Sequence, residues 1–209
     1  MFKSIFKTVV VSSVAAVFSI GCGGDDGGGG NPVDPNNPNN GGGSNCSANF
    51  RKVVIGTQTW MAENLNCNVS GSQCYLGNAD SCTKYGRLYD WDAAMKVCPS
   101  GWHLPSDDEW GTLVNYIGDS STAGKKLKAT SGWGSYGNGT DEYGFSALPG
   151  GFGFSGSPIA RVGSYGYWWS ATEVDVGRAW GRDMGHDSEY VGRFNVYKTN
   201  VYSVRCVAD

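Results

Sequence analysis

The sequence is short of charge, of histidine and of proline. Charged residues make up 17% of its 209 positions, histidine occurs twice and proline seven times. With 16 basic against 19 acidic residues, the chain lacks the cationic surplus that releases counterions from nucleic acid, so no nucleic-acid partner is expected. No CxxC pair occurs, and His103 and His186 are the only histidines; neither a zinc site nor any other metal or cofactor is expected. No apolar run reaches the ~20 residues of a membrane-spanning helix. Glycine, by contrast, occurs 33 times, roughly twice the ordinary ~7% share. It follows no period of three, which together with the scarcity of proline excludes collagen. Abundant Trp and Tyr argue against disorder throughout the chain and for an aromatic-cored domain.

The N-terminal 45 residues read as export and tether. Lys3 and Lys7 precede a 13-residue apolar or small stretch, TVVVSSVAAVFSI, the pattern of a secretory signal peptide over residues 1–21. Gly21–Cys22 at its end resembles the bacterial lipobox, although Ser19 stands where that pattern usually has Leu. Cys22 is therefore the expected lipidation site, its acyl chains holding the protein to a membrane at ~0.8 kcal/mol per buried CH₂. An ordinary signal peptide with a spare thiol at Cys22 is the alternative. Residues 22–45, GGDDGGGGNPVDPNNPNNGGGS for the most part, carry one aliphatic side chain, Val33, and cannot bury apolar area. Such a linker reaches roughly 25 Å on average. Asp25 and Asp26 resemble the acidic signal that sends lipoproteins of the Bacteroidota to the cell exterior. An outer-membrane lipoprotein at the cell surface is the expectation, a periplasm-facing one the alternative.

Residues 46–209 form the expected domain. Without Lys3 and Lys7 the basic count falls from 16 to 14 against 19 acidic residues, a mature charge of −5. Six cysteines remain, an even number in an exported domain, which reads as a disulfide framework with 15 possible connectivities. FRKVVIGTQTW (50–60) places β-branched residues around Gly56 and predicts a hairpin. In YGRLYDWDAAMKV, Leu88, Trp91 and Met95 stand at steps of three and four, as on one helix face. Ser106 and Glu109 form a capping-box pattern, Asp107 and Asp108 suit a helix N-terminus, and Trp110, Leu113, Val114 and Ile117 follow as an apolar stripe ended by Gly118. Lys125–Ala129 adds at most one turn. Beyond it, glycines interrupt aromatic runs, of which YGYWWSATE, GRAWGRDM and VYSVRCVAD alternate as short strands. Helices followed by strands and long glycine-rich loops give an α+β class.

The blocks GTQTWMAENLN, YGRLYDWDAAM, CPSGWHLPSDDEW, GFSALPGG, YWWSATE and SVRC, in this order, resemble the Fibrobacter succinogenes major paralogous domain. The resemblance spans nearly all of residues 50–209. It implies an exported, often lipid-anchored protein with a C-type lectin-like fold, whose termini lie together and whose long loop region faces one side. It also implies a disulfide from Cys98 to Cys206; Cys74–Cys82 and Cys46–Cys67 complete the favoured set. The EPN or QPD tripeptide and the WND triplet of calcium-dependent lectins are missing, so calcium-dependent sugar binding does not carry over.

Three functions are open at this point. A non-catalytic binding module for polysaccharide or another cell-surface ligand is favoured, because rings with polar tips offer rigid contact area at low entropic cost. The best sequence patch is SGWGSYGNGTDEYG, with Trp133, Tyr136, Asn138, Asp141 and Glu142; the competing reading has these rings filling the core and the acids capping turns. Trp60, Trp91, Trp102 and Trp110 are expected in the core, and Trp168 and Trp169 on opposite sides of a strand, one buried and the other exposed or loop-covered. An adhesin or assembly subunit of an envelope complex is the alternative. An enzyme is the least favoured. The formylglycine-generating oxidases of the same broad fold need reactive cysteines and a metal, and here the six cysteines are committed to disulfides. His103 reads as a turn or packing residue, His186 as part of a solvated turn, and Asp141 with Glu142 or Glu173 as surface acids rather than a catalytic pair.

Overall fold

In a computed structural model the described residues are 50–154 and 156–209. The signal segment, Cys22, the linker to residue 45 and Cys46 lie outside them.

Two sheets share the chain's last residues. Strands β1 (Lys52–Ile55) and β2 (Gln58–Met61) form the expected hairpin, turning at Gly56 with φ +62°. The short terminal strand β11 (Val207–Ala208) pairs with β2 on one side and with β5 (Trp102–His103) on the other. The ends of the domain are thus hydrogen-bonded together, and Met61 N donates to Cys206 O. The larger sheet runs in the order β3 (Ser72–Gln73), β4 (Leu88–Tyr89), β10 (Asn200–Ser203), β7 (Tyr165–Asp175), β8 (Arg178–Gly185), β9 (Gly192–Tyr197), with β6 (Gly153–Phe154) on β10. All pairings are antiparallel except β10 with β7.

Among the described residues, four α-helices flank the sheets. Helix α1 (Ala79–Tyr85), which the sequence reading passed over, is capped by Asn78 and stapled by Cys74–Cys82. Helix α2 (Trp91–Val97) starts at Asp90, whose carboxylate accepts from Ala93 N. Its buried face is Trp91, Ala94 and Val97; Leu88 belongs to β4 and Met95 is 42% exposed. The expected 88/91/95 stripe therefore fails, because it runs across a strand end and a cap. Helix α3 (Asp107–Ile117) has the complete Ser106–Glu109 capping box and buries Trp110, Leu113, Val114 and Ile117 as expected, ending at Gly118. Helix α4 spans Ser120–Leu127, two turns instead of one.

Trp168 and Trp169 explain how the layers hold. Successive strand residues face opposite ways, and both indoles are 0% exposed, because both faces of β7 are covered at these two positions. Trp168 joins Trp60, Trp110, Leu113 and Phe145 in one core; Trp169 joins Tyr89, Trp91, Tyr202 and Val204 in the other. The expectation that one of them is exposed or merely loop-covered is corrected. Every buried indole N–H has an acceptor: Trp169 donates to Tyr89 O at 2.7 Å, Trp91 to Ser170 O at 3.0 Å and Trp168 to Asn64 Oδ1 at 2.9 Å. Asn64 Oδ1 also accepts from Arg205, a fully buried guanidinium that reaches the Phe145 and Ser146 carbonyls. Burial holds the Arg205 pKa down, to about 9. Trp60 and Trp110 are core residues as expected, Trp91 is buried at 7% exposure, and Trp102 is half-buried, edge-on to Phe50 at 5.0 Å.

Cys98–Cys206 forms, from the C-cap of α2 to the link between β10 and β11, across 108 residues. Cys67 is also disulfide-bonded; its expected partner, Cys46, lies outside the described residues. Among the described residues no helix is long and apolar enough to cross a membrane, and no group of three or more His, Cys, Asp or Glu side chains could hold a metal ion.

His103 makes neither a plain packing contact nor a turn. Its Nδ1 lies 2.7 Å from Asp209 Oδ1 and its Nε2 2.8 Å from Glu109 Oε1, joining the last residue to the capping box. Partial burial opposes the imidazolium, but the two carboxylate hydrogen bonds outweigh it and raise the pKa. For Glu109, desolvation is outweighed by hydrogen bonds from Ser106 and His103, and the pKa falls. A raised histidine pKa contributes stability that is complete below the unfolded value of ~6.5 and is lost as pH climbs through the folded value. The lowered Glu109 value contributes stability above its unfolded ~4.3, lost in acid. The pair should therefore favour the fold most between about pH 4.5 and 6.5. Since His103 is 41% exposed, the effect is small, within about 1 kcal/mol. Urea midpoints recorded across pH 5–8 should fall on the alkaline side for the native chain and lose that slope in His103→Gln; an unchanged slope would refute the linkage.

Candidate functional site

Strand alternation on the larger sheet produces a face of rings. Tyr165 and Tyr167 stand on the same side of β7, opposite Gly185 and Asp183 of β8. Asp183 in turn pairs with Gly192 and Gly181 with Phe194 of β9. Phe152 and Phe154 join from β6 and the residues before it. These rings contact one another: Tyr167 lies 5.0 Å from Phe152, 5.8 Å from Phe194 and, nearly parallel, 5.3 Å from Tyr202. Helix α2 and Trp169 cover one end of the face. At the other end Phe152, Tyr165, Tyr167 and Phe194 are half-buried and Phe154 is 53% exposed.

Glycine makes room for two of these rings. A Cβ at Gly185 would stand 2.8 Å from Tyr165 Cε1, and one at Gly181 would stand 2.9 Å from Phe194 Cζ. Each ring rests where the neighbouring strand has no side chain; Tyr165 and Tyr167 lie at 26° to each other, and Phe194 stands edge-on to Tyr167 at 82°.

Asp183 sits among the rings. Among the described residues its carboxylate accepts no hydrogen bond and makes no ion pair, and burial alone drives its pKa upward. Tyr167 is shifted upward by burial and then by the Asp183 charge, and Tyr202 is pushed up to about 12, chiefly by burial. Both phenols therefore remain neutral donors. Tyr165 donates to Asp187 at 3.0 Å, which raises the phenol's pKa and lowers that of the carboxylate, and Arg161 lies over the Tyr165 ring at 5.6 Å.

Beyond Tyr165 the face continues into a polar cleft of about 220 Å³ lined by Tyr136, Asn138, His186 and Asp187. Lys128, 2% exposed, fixes one wall by donating to the Gly185 and Ser188 carbonyls at 2.9 and 2.7 Å. His186 packs edge-on against Tyr165 at 5.8 Å rather than standing free in a solvated turn.

The patch expected from sequence is divided by the structure. Tyr136 is fully exposed at φ +65°, and Asn138 lines the cleft while its Oδ1 accepts from Trp133 N. Trp133 points inward: it is 5% exposed, belongs to the α3 core and donates to Ala147 O at 2.9 Å. It cannot act as a surface platform. Asp141 is occupied by the Ser146 amide and hydroxyl, the turn-capping alternative, and Glu142 faces Lys126 at 3.9 Å outside the cleft. Phe152, Phe154, Tyr165, Tyr167, Phe194 and Asp183 were missed. Their signal was Y-x-Y-x-W on one strand facing G-x-D-x-G on the next. Two larger hollows, about 340 Å³ beside Asn64–Cys67 and about 770 Å³ beside Cys74–Gly77, join no ring faces to an unpaired carboxylate.

Fold and site together define a disulfide-closed α+β domain that carries an aromatic sheet face beside a polar cleft. The model of the Fibrobacter succinogenes major domain matches residues 53–208, and the chain belongs to that family. Comparison with curated proteins and with solved structures finds no match.

Proposed function

We propose that this protein is an exported, lipid-anchored, non-catalytic binding module of C-type lectin-like architecture whose ligand is a polysaccharide. The carrying observation is the row of half-buried rings, two of them packed over glycines, with neutral phenol donors and a carboxylate among them. Ring faces cover the apolar C–H face of a pyranose, while Tyr167, Asn138 and Asp187 meet hydroxyls. The clasp of first and last strands, the Cys98–Cys206 bond and the loop-rich stretch between α4 and β6 agree with a lectin-like frame. Disulfides favour an oxidising compartment and hence export, in keeping with anchoring at Cys22 on the outer membrane. The full chain should be retained on insoluble cellulose, xylan or chitin, and Tyr165→Ala with Tyr167→Ala should weaken retention roughly tenfold or more. Saturable retention that is unaffected by the double substitution would refute the ring face as the site.

An assembly role is the second reading. Strand β9 is the outer strand of its sheet, and Val176 (95% exposed), Tyr197 (66%) and Val174 (37%) stand uncovered at that edge and at the β7–β8 turn. Bare strand edges with apolar neighbours favour protein contacts. Co-purification of envelope proteins with no glycan retention would favour it.

A further inference from the structure

The unpartnered carboxylate on the ring face narrows the ligand class. We infer that Asp183 is the counter-ion for a protonated amine on the ligand, so that the face selects amino sugars over neutral ones. This rests on the binding reading above. Asp183 lies between Tyr167 of β7 and Gly192 of β9, half-buried, with no ion-pair partner among the described residues. Its strand neighbour Arg182 points to the other side of the sheet, where it binds Asp107 at 2.6 Å together with Arg193 at 2.8 Å. Lys128 is committed to main-chain carbonyls and Arg161 lies over Tyr165. Tyr167 stands across from it on β7, and the Asp183 charge raises the pKa of the Tyr165, Tyr167 and Tyr202 phenols, which stay neutral.

A ligand that covers this face removes the remaining water from Asp183. A neutral sugar would leave a desolvated charge with only hydroxyl partners, which is costly. An ammonium group cancels the charge with a charge-assisted hydrogen bond and gains attraction from the surrounding ring faces. The wall around Asp183 is thus matched to a cation on a flat, partly apolar body, which describes a 2-amino-2-deoxy pyranose.

The test uses the full chain and three hexasaccharides of equal linkage, built from glucosamine, N-acetylglucosamine and glucose, titrated calorimetrically at pH 5.5. The glucosamine oligomer should bind at least tenfold more tightly than the other two, and Asp183→Asn should abolish that preference. Because Asp183 has no hydrogen-bond or ion-pair partner among the described residues, Asp183→Asn should leave the urea midpoint unchanged or raise it. A fall would mark the carboxylate as structural and overturn the inference. Equal binding of all three oligomers, or neutral binding accompanied by proton uptake at Asp183, would also overturn it while leaving the ring face intact. Loss of glucosamine binding in Asp183→Asn but not in Tyr167→Ala would refute the ring-face reading itself.

Discussion

Replacing Cys98 and Cys206 together with alanine should lower the unfolding free energy by about 4.7 kcal/mol, because the bond closes a loop of 108 residues. The linkage removes conformations from the unfolded chain in proportion to the logarithm of loop length, so separation in sequence sets the scale. The bond over 8 residues between Cys74 and Cys82 gives about 2.5 kcal/mol by the same relation. Against a total of about 5–15 kcal/mol for a domain, losing the longer clasp leaves little margin. Cys206 is fully buried between the two sheets, and its bond holds the end of α2 where β10 leaves for β11. Urea unfolding of the two double-alanine variants should therefore rank them with the 98/206 pair as the weaker protein. Equal losses, or the reverse order, would show that unfolded-state entropy is not what the long bond controls.

Trp133→Ala should cost about 3–5 kcal/mol of stability while leaving ligand binding unchanged wherever the variant is still folded. The indole is 5% exposed, packs in the core with Trp110 and Leu127, and has Lys128 over its ring at 5.2 Å. Truncation opens a cavity in the α3 core and removes the donor to Ala147 O, which keeps a second donor in Ala129 N at 3.0 Å. The loss is thus mainly one of packing. Tyr165→Ala should show the converse, a small change in midpoint with a large change in binding. A Trp133 variant of native stability that no longer binds would contradict the inward placement of this ring.

Legibility followed the range of the interactions. The α3 capping box and stripe, the β1–β2 hairpin and the β7 strand depend on neighbours within a few residues, and all were readable. Disulfide partners across 108 residues came from the family resemblance, not from spacing. Helix α1 and the true face of α2 were not readable, since Cys74–Cys82 and the Asp90 cap override a weak apolar period. Exposure was the least readable property. Trp133 and Tyr165 both stand among glycine and serine, yet one fills a core and the other lies half-buried on a sheet face. Which ring faces water depends on what α2, α3 and the β6 loop cover.

By itself the sequence determined the family, the α+β class, and the strongest caps and stripes, because each is written in local spacing or in ordered blocks. The tertiary structure alone decided that both β7 indoles are buried, that Trp133 turns inward, and that Tyr165, Tyr167, Phe194 and Asp183 meet on one side of the sheet. Pairing of β7, β8 and β9 sets which glycine lies opposite which ring. That register comes from strands packing between two cores and is carried by no single stretch of residues.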